Sequence, residues 1–222
     1  MKNTLLFQLF LIATLSYSQK SETQSTFLST SLLEEEKNDS IKNVFGIKSP
    51  VFFVNNYSDK SGNYFIVFTQ QMKPEYADKD SHNNSIRFLN LKSDSGRLFP
   101  VWDYTVDAMP DFLMGTQAIH FNKELISFSD LDEDSLIDPI IAYTTKTKLD
   151  ILIFHNKKPV SIELSFKISG KRKFNVDRSF YDLPLKMQNS LINKLEIAFE
   201  IFPDEFPFKW KSGFQKKKLI IT

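Results

Sequence analysis

Pro50–Gln70 reads PVFFVNNYSDKSGNYFIVFTQ, and this stretch decides the fold class. Two runs dense in Val, Ile, Phe and Tyr flank a polar centre, SDKSGN. Branched and aromatic side chains suit a pleated, half-buried surface, whereas Asp, Gly and Asn suit a chain reversal. The expectation is a β-hairpin with strands over Pro50–Asn56 and Tyr64–Gln70.

The pattern continues outward. SIRFLNLKS, AIHFNKELISFS, DPIIAYTT, LDILIFHN and KPVSIELSFKIS are short apolar or alternating runs bounded by turn residues. RLFPVWDYTV also reads as extended, but Pro100 bars a central ladder position because it has no N–H to donate. KKKLIIT reads as an edge strand guarded by lysines. Tyr181–Phe202 breaks the rule: Leu191, Ile192, Leu195, Phe199 and Phe202 lie at helical spacing and form one apolar stripe. Asp182 and Pro184 suit the start of that helix, and Pro203 ends it. Strands in long succession with one late helix predict an α+β domain, mostly antiparallel β-sheet, with one C-terminal amphipathic helix packed on it.

The chain has 222 residues and a formal charge of +1. That balance argues against a nucleic-acid partner, which calls for a strongly basic surface. The absence of Cys excludes disulfides, thiolate metal sites and a lipid-modified Cys. At the N-terminus, Lys2, the apolar run Leu5–Leu15 and the small residues Ser16 and Ser18 predict a secretory signal peptide over 1–18. Residues 19–43 read as a polar, mobile leader, with LLEEEKNDSIKN able to form a turn or two of helix. Residues 44–222 read as a single β-rich domain. No second run is long and apolar enough for a transmembrane span in the mature chain. An exported protein of the periplasm, outer surface or secreted medium is expected.

SFSDLDEDSLIDPIIAY, Ser127–Tyr143, places Asp130, Asp132, Asp134 and Asp138 within nine residues, between two strand-like runs. Counted from Asp130, carboxylates fall at positions one, three, five and nine, and the Leu136 carbonyl falls at seven. Calcium takes six to eight oxygens, and such a loop supplies most of them. Calcium is therefore the expected cofactor, with Asp130, Asp132, Asp134, Leu136 and Asp138 as ligands. Position six is Ser135, where the sharp turn favours Gly. Position twelve is Ile141, not a bidentate Glu. A solvated acidic turn that binds nothing is the competing reading.

The loop resembles the DxDxDGxxD loops that bind calcium between strands in exported bacterial and integrin-like repeat proteins. The longer order of features is an exported leader, RLFPVWDYTVDAMPDF, the acidic loop with DPIIAYTT, FKISGKRKF, a C-terminal helix and FPFKW. It resembles a small exported bacterial family of surface polysaccharide biosynthesis proteins. That resemblance implies a cell-envelope role with a glycan connection and no defined reaction.

Other candidates are weaker. Asp107 and Asp111, in WDYTVDAMPDF, are the carboxylates a carbohydrate-active hydrolase would use, since glycoside hydrolysis runs on paired acids. No other catalytic set is visible. His82, His120 and His155 are scattered, and with 6 glycines there is little room for a phosphate-cradling loop. Trp102, Tyr104, Phe206, Phe208 and Trp210 could stack on sugar rings, and the tail FPFKWKSGF is the candidate exposed platform. Lys171, Arg172 and Lys173 form a small basic turn. The expected function is non-catalytic: an envelope protein linked to surface polysaccharide biosynthesis or binding, with a surface glycan or envelope proteins as partners. The hydrolase and a metal-free interaction domain are the alternatives.

Overall fold

A computed structural model describes residues 26–28, 45, 47, 51–71, 85–95, 97–107 and 119–222. The expected signal peptide, the helical turn at 32–43, His82 and Asp111 lie outside the described residues.

Two antiparallel sheets form. The first is a five-stranded meander of β1 (Thr26–Leu28), β2 (Val51–Asp59), β3 (Gly62–Gln71), β4 (Ser85–Asp94) and β5 (Arg97–Asp107), each strand pairing with the next. The second holds β6 (His120–Phe121), β7 (Ser127–Ser129), β8 (Asp138–Thr144), β9 (Lys148–His155), β10 (Lys158–Ser165), β11 (Lys173–Val176) and β12 (Ile220–Ile221). Its order is β12-β11-β10-β9-β8-β6, with β7 also on β8. A long helix, α1 (Leu185–Ile201), and a short one, α2 (Trp210–Gln215), lie near the C-terminus.

The opening hairpin is tighter than its sequence suggests. Asp59 pairs with Gly62, so only Lys60 and Ser61 turn the chain. Gly62 takes φ 137°, which side-chain-bearing residues avoid. The β9–β10 turn is also two residues, Asn156 and Lys157, both with positive φ as a type I′ turn requires. Pro100 sits on β5, an edge strand, opposite Leu91 and next to a register shift at Asn90/Leu91. β12 is likewise at one edge of the other sheet. Within the stretch read as a polar leader, Thr26–Leu28 pairs with β2, so that stretch does not lie wholly outside the sheet.

The expected antiparallel β-sheet is found as two sheets, and β8 and β9 of the second are buried on both faces. Ile141, Tyr143, Leu152 and Phe154 meet Phe53, Tyr57, Tyr64, Ile66, Phe68 and Phe88 of the first sheet in one apolar core. Ile140, Ala142, Ile151 and Ile153 point the other way, into a second core. That second core also holds Met187, Leu191, Leu195 and Ala198 of α1. A strand buried on both sides reads as a continuous apolar run rather than an alternating one.

The helical stripe differs in detail. Leu191 and Leu195 are buried and Ile192 and Phe202 partly so, but Phe199 is 43% exposed. Met187 and Ala198 complete the buried line instead. The helix starts later than expected. Asp182 closes a 3-10 turn over Arg178–Asp182, and Pro184 precedes the first helical residue. In α2, a Cβ on Gly213 would come within 2.5–2.8 Å of the Ile221 side chain, so this helix–strand contact requires Gly.

Candidate metal centre and the cleft beside it

The acidic loop joins β7 to β8, and its backbone folds around its own carboxylates. Asp130 Oδ2 accepts the N–H of Ser135 at 2.8 Å, and its Oδ1 accepts that of Asp134 at 3.1 Å. Asp132 Oδ1 also accepts from Asp134 N at 3.2 Å, and Asp138 Oδ2 accepts from Leu131 N at 3.1 Å. Two residues take left-handed backbone to make this possible, Glu133 at φ 66° and Ser135 at φ 67°. Ser135 therefore adopts the conformation that Gly usually supplies at position six, at a cost in strain.

Asp130, Asp132 and Asp138 each present a carboxylate oxygen, all within 4.8 Å of one another. Ligands on a sphere of about 2.4 Å around a calcium ion lie at most about 4.8 Å apart. The group therefore fits an ion of that size, and an all-oxygen donor set suits a hard cation. Asp134 is not part of that group; its Oδ1 accepts the N–H of Leu136 at 2.7 Å, and its carbonyl accepts from Lys60 Nζ. Asp138 is the deeply placed member, 5% exposed. Burial lifts its carboxyl to about 6; Leu131 N–H opposes the rise, and Asp132 and Asp134 add to it.

Backbone N–H groups compensate part of the gathered negative charge, a source that residue types alone do not disclose.

The first sheet reaches over to the loop. Lys60 N donates to Ser135 O at 3.2 Å, and Asp59 Oδ2 accepts from Ile137 N at 3.3 Å. Between this hairpin tip, β5 and the β9–β10 turn lies a cleft of about 140 Å³. Tyr57, Asn90, Trp102, Asp138 and His155 are among its walls. Trp102 stacks on Phe154 at 3.9 Å and 9°, and Tyr57 on Tyr64 at 4.9 Å and 10°. Asn90 Nδ2 donates to Tyr57 Oη at 3.0 Å. Burial raises the Tyr57 phenol well above its ordinary value, so it stays neutral. His155 Nδ1 stands 3.7 Å from Asp138 Oδ1. Asn90 carried no signal in the sequence, because an Asn in a strand of Ile, Phe and Leu looks like an ordinary polar position.

The remaining candidates are placed as follows. Asp107 is exposed at the end of β5, opposite Ser85. His120 is exposed on β6. Tyr104 is half-buried, edge-on to Phe154. Phe206 and Trp210 are 5% and 6% exposed and belong to the core against α1, so most of the tail read as a platform is interior. Phe208 alone stands out, 85% exposed. Lys171 is exposed and Arg172 half-exposed at the turn leading into β11, and Lys173 opens that strand. Among the described residues no helix is long and apolar enough to cross a membrane.

No family model, no curated protein and no solved structure matches this chain.

Proposed function

We propose that the loop between β7 and β8 binds calcium, and that the protein is a non-catalytic, exported component of the cell envelope linked to surface polysaccharide. One observation carries the metal reading: three carboxylate oxygens from Asp130, Asp132 and Asp138 fall within the span of a single coordination sphere. The left-handed turn at Ser135 and the expected export to a calcium-containing compartment support it. The polysaccharide link rests on the resemblance in feature order. In this reading α1 lies by its apolar stripe against the second sheet, while the ion orders the loop that meets the first hairpin through Lys60 and Asp59.

Calcium titration followed by melting temperature tests the metal. Ligand binding to the folded state alone raises stability by roughly 2.7 kcal/mol at a hundredfold excess over Kd. The shift should vanish in Asp132→Ala. Identical melting in chelator and in millimolar calcium would leave the metal-free interaction domain as the reading.

A further inference from the structure

The basic turn and the aromatic tail, far apart in sequence, meet at one groove. Arg172, from the turn before β11, lines it together with Glu196, Phe199 and Glu200 of α1 and with Phe208 and Lys209 between the two helices. Its volume is about 760 Å³, inside the roughly 300–1,000 Å³ span of ligand pockets. Two rings give it accessible apolar surface, since Phe208 is 85% exposed and Phe199 43%. Both are anchored to the interior. Phe199 stands edge-on to the core residue Phe206 at 5.3 Å. Phe208 is presented by backbone held on both sides, by buried Pro207 before it and by buried Trp210 after the left-handed turn at Lys209, φ 55°.

The charges decide the guest. Lys211, also on the groove, is paired with Glu196. Among the described residues Arg172 and Lys209 have no carboxylate partner, and Glu200 has no cation. Lys209 Nζ stands over the Phe208 ring, 5.1 Å from its centroid, so a cation and an apolar ring are presented side by side. A guanidinium such as that of Arg172 matches a carboxylate with two parallel hydrogen bonds. The carboxylates of Glu196 and Glu200 accept from hydroxyls and repel a densely anionic guest such as a polyphosphate, a nucleic acid or an anionic bilayer. The exposure of Phe208 leaves one side of a guest in water. An acyl chain is disfavoured there, whereas a sugar ring, apolar on one face and hydroxylated at its rim, is accommodated. We propose that this groove binds an acidic glycan through a uronate unit, with Arg172 and Lys209 holding the carboxylate and Phe208 and Phe199 meeting the apolar ring faces. The proposal rests on the polysaccharide reading above and names its ligand class.

The test is calorimetric titration of the full chain with short oligomers of galacturonate and of mannuronate, and with hyaluronan oligosaccharides, which carry glucuronate. Chelator is present throughout, so that calcium cannot bridge the uronates. Saturable binding to at least one is expected, weakened by salt and lost when the carboxylates are methyl-esterified. Phe208→Ala and Arg172→Gln should each weaken it about tenfold or more, the first without lowering the melting temperature. Silence toward all three up to about 10 mM, where even a millimolar site is close to saturation, overturns the proposal. So does binding that survives esterification, or parent-like binding by either variant. Capture by phosphatidylglycerol vesicles or by poly-glutamate that depends on both residues, with the uronates silent, would give the groove to another partner and overturn it equally. A glycan array probed with the parent and both variants separates the failures. Array binding that both variants retain overturns the groove and leaves the polysaccharide reading standing; a blank array together with silent uronates removes both.

Discussion

Asp59 Oδ2 accepts the backbone N–H of Ile137 at 3.3 Å, across 78 residues of chain. Asp59 ends β2 in the first sheet, and Ile137 ends the acidic loop of the second. The same carboxylate holds the hairpin turn itself, through Ser61 N at 2.7 Å and Ser61 Oγ at 2.6 Å. One side chain therefore shapes the tip and docks it. Asp59→Ala should lower unfolding stability by about 1–2 kcal/mol, the lower part of the range for bonds to a charged acceptor because the site is partly exposed. The calcium-induced rise in melting temperature should also shrink, since the loop loses a brace. Urea denaturation with and without calcium measures both, and an unchanged midpoint would show that the contact between the sheets is idle.

Ser135 occupies left-handed backbone at φ 67°. For a residue with a Cβ that conformation costs roughly 1–2 kcal/mol, and Gly avoids it while losing more chain entropy on folding. Ser135→Gly should therefore stabilise the protein by about 0.5–1 kcal/mol net and tighten calcium binding. Calorimetric titration of both proteins checks the second effect. Weaker binding in the Gly variant would mean that the loop does not need this turn to gather its carboxylates.

How much of this was legible beforehand depends on whether a signal is local. The hairpin at Pro50–Gln70, the edge position of Pro100 and the α+β class follow from side-chain type and spacing alone. The second sheet does not. The runs DPIIAYTT and LDILIFHN show burial on both faces but not which surface covers each face. The one-three-nine gathering of Asp130, Asp132 and Asp138 was readable from the loop spacing. That Asp134 stands outside this group was not, because spacing does not say which carboxylate takes the Leu136 N–H. Nor was the cleft readable: Asn90, Trp102 and His155 come from three strands, and only the pairing of β4 with β5 and the facing of two sheets bring them together.

The C-terminal aromatics separate sharply. Trp210 meets Phe174, Phe206 and Phe214 with centroids at 5.8, 5.3 and 6.0 Å, whereas Phe208 is 85% exposed. Trp210→Ala should cost about 3–5 kcal/mol, as for other large-to-small changes in a packed core. Phe208→Ala should stay within about 0.5 kcal/mol of the parent. Equilibrium denaturation of the two variants side by side decides it. A large loss at Phe208 would mean that its ring is covered in solution.

Glu163 on β10 gives a pH dependence whose sign is fixed. Burial raises its carboxyl, but Lys148 Nζ at 2.9 Å, Asn175 Nδ2 at 2.7 Å and Ser165 Oγ at 3.2 Å favour the charged form more, and the net shift is downward. A carboxylate lowered in the folded state stabilises above its unfolded value, near 4.5, and that contribution is lost as pH falls through the folded value. Asp150, 2.8 Å from the same Lys148, runs the opposite way: burial raises it, so ionising it opposes folding. Comparing parent with Glu163→Gln removes the first effect and leaves Asp150 in both proteins. At pH 7 the parent should be the more stable by on the order of 1 kcal/mol, a modest figure because Glu163 keeps partial solvent contact. The gap should close as pH drops below about 4.5, with the variant's melting temperature falling less steeply. Melting curves from pH 7 to 3 in chelator keep the acidic loop's metal out of the comparison. A gap that widens on acidification would contradict the assigned direction.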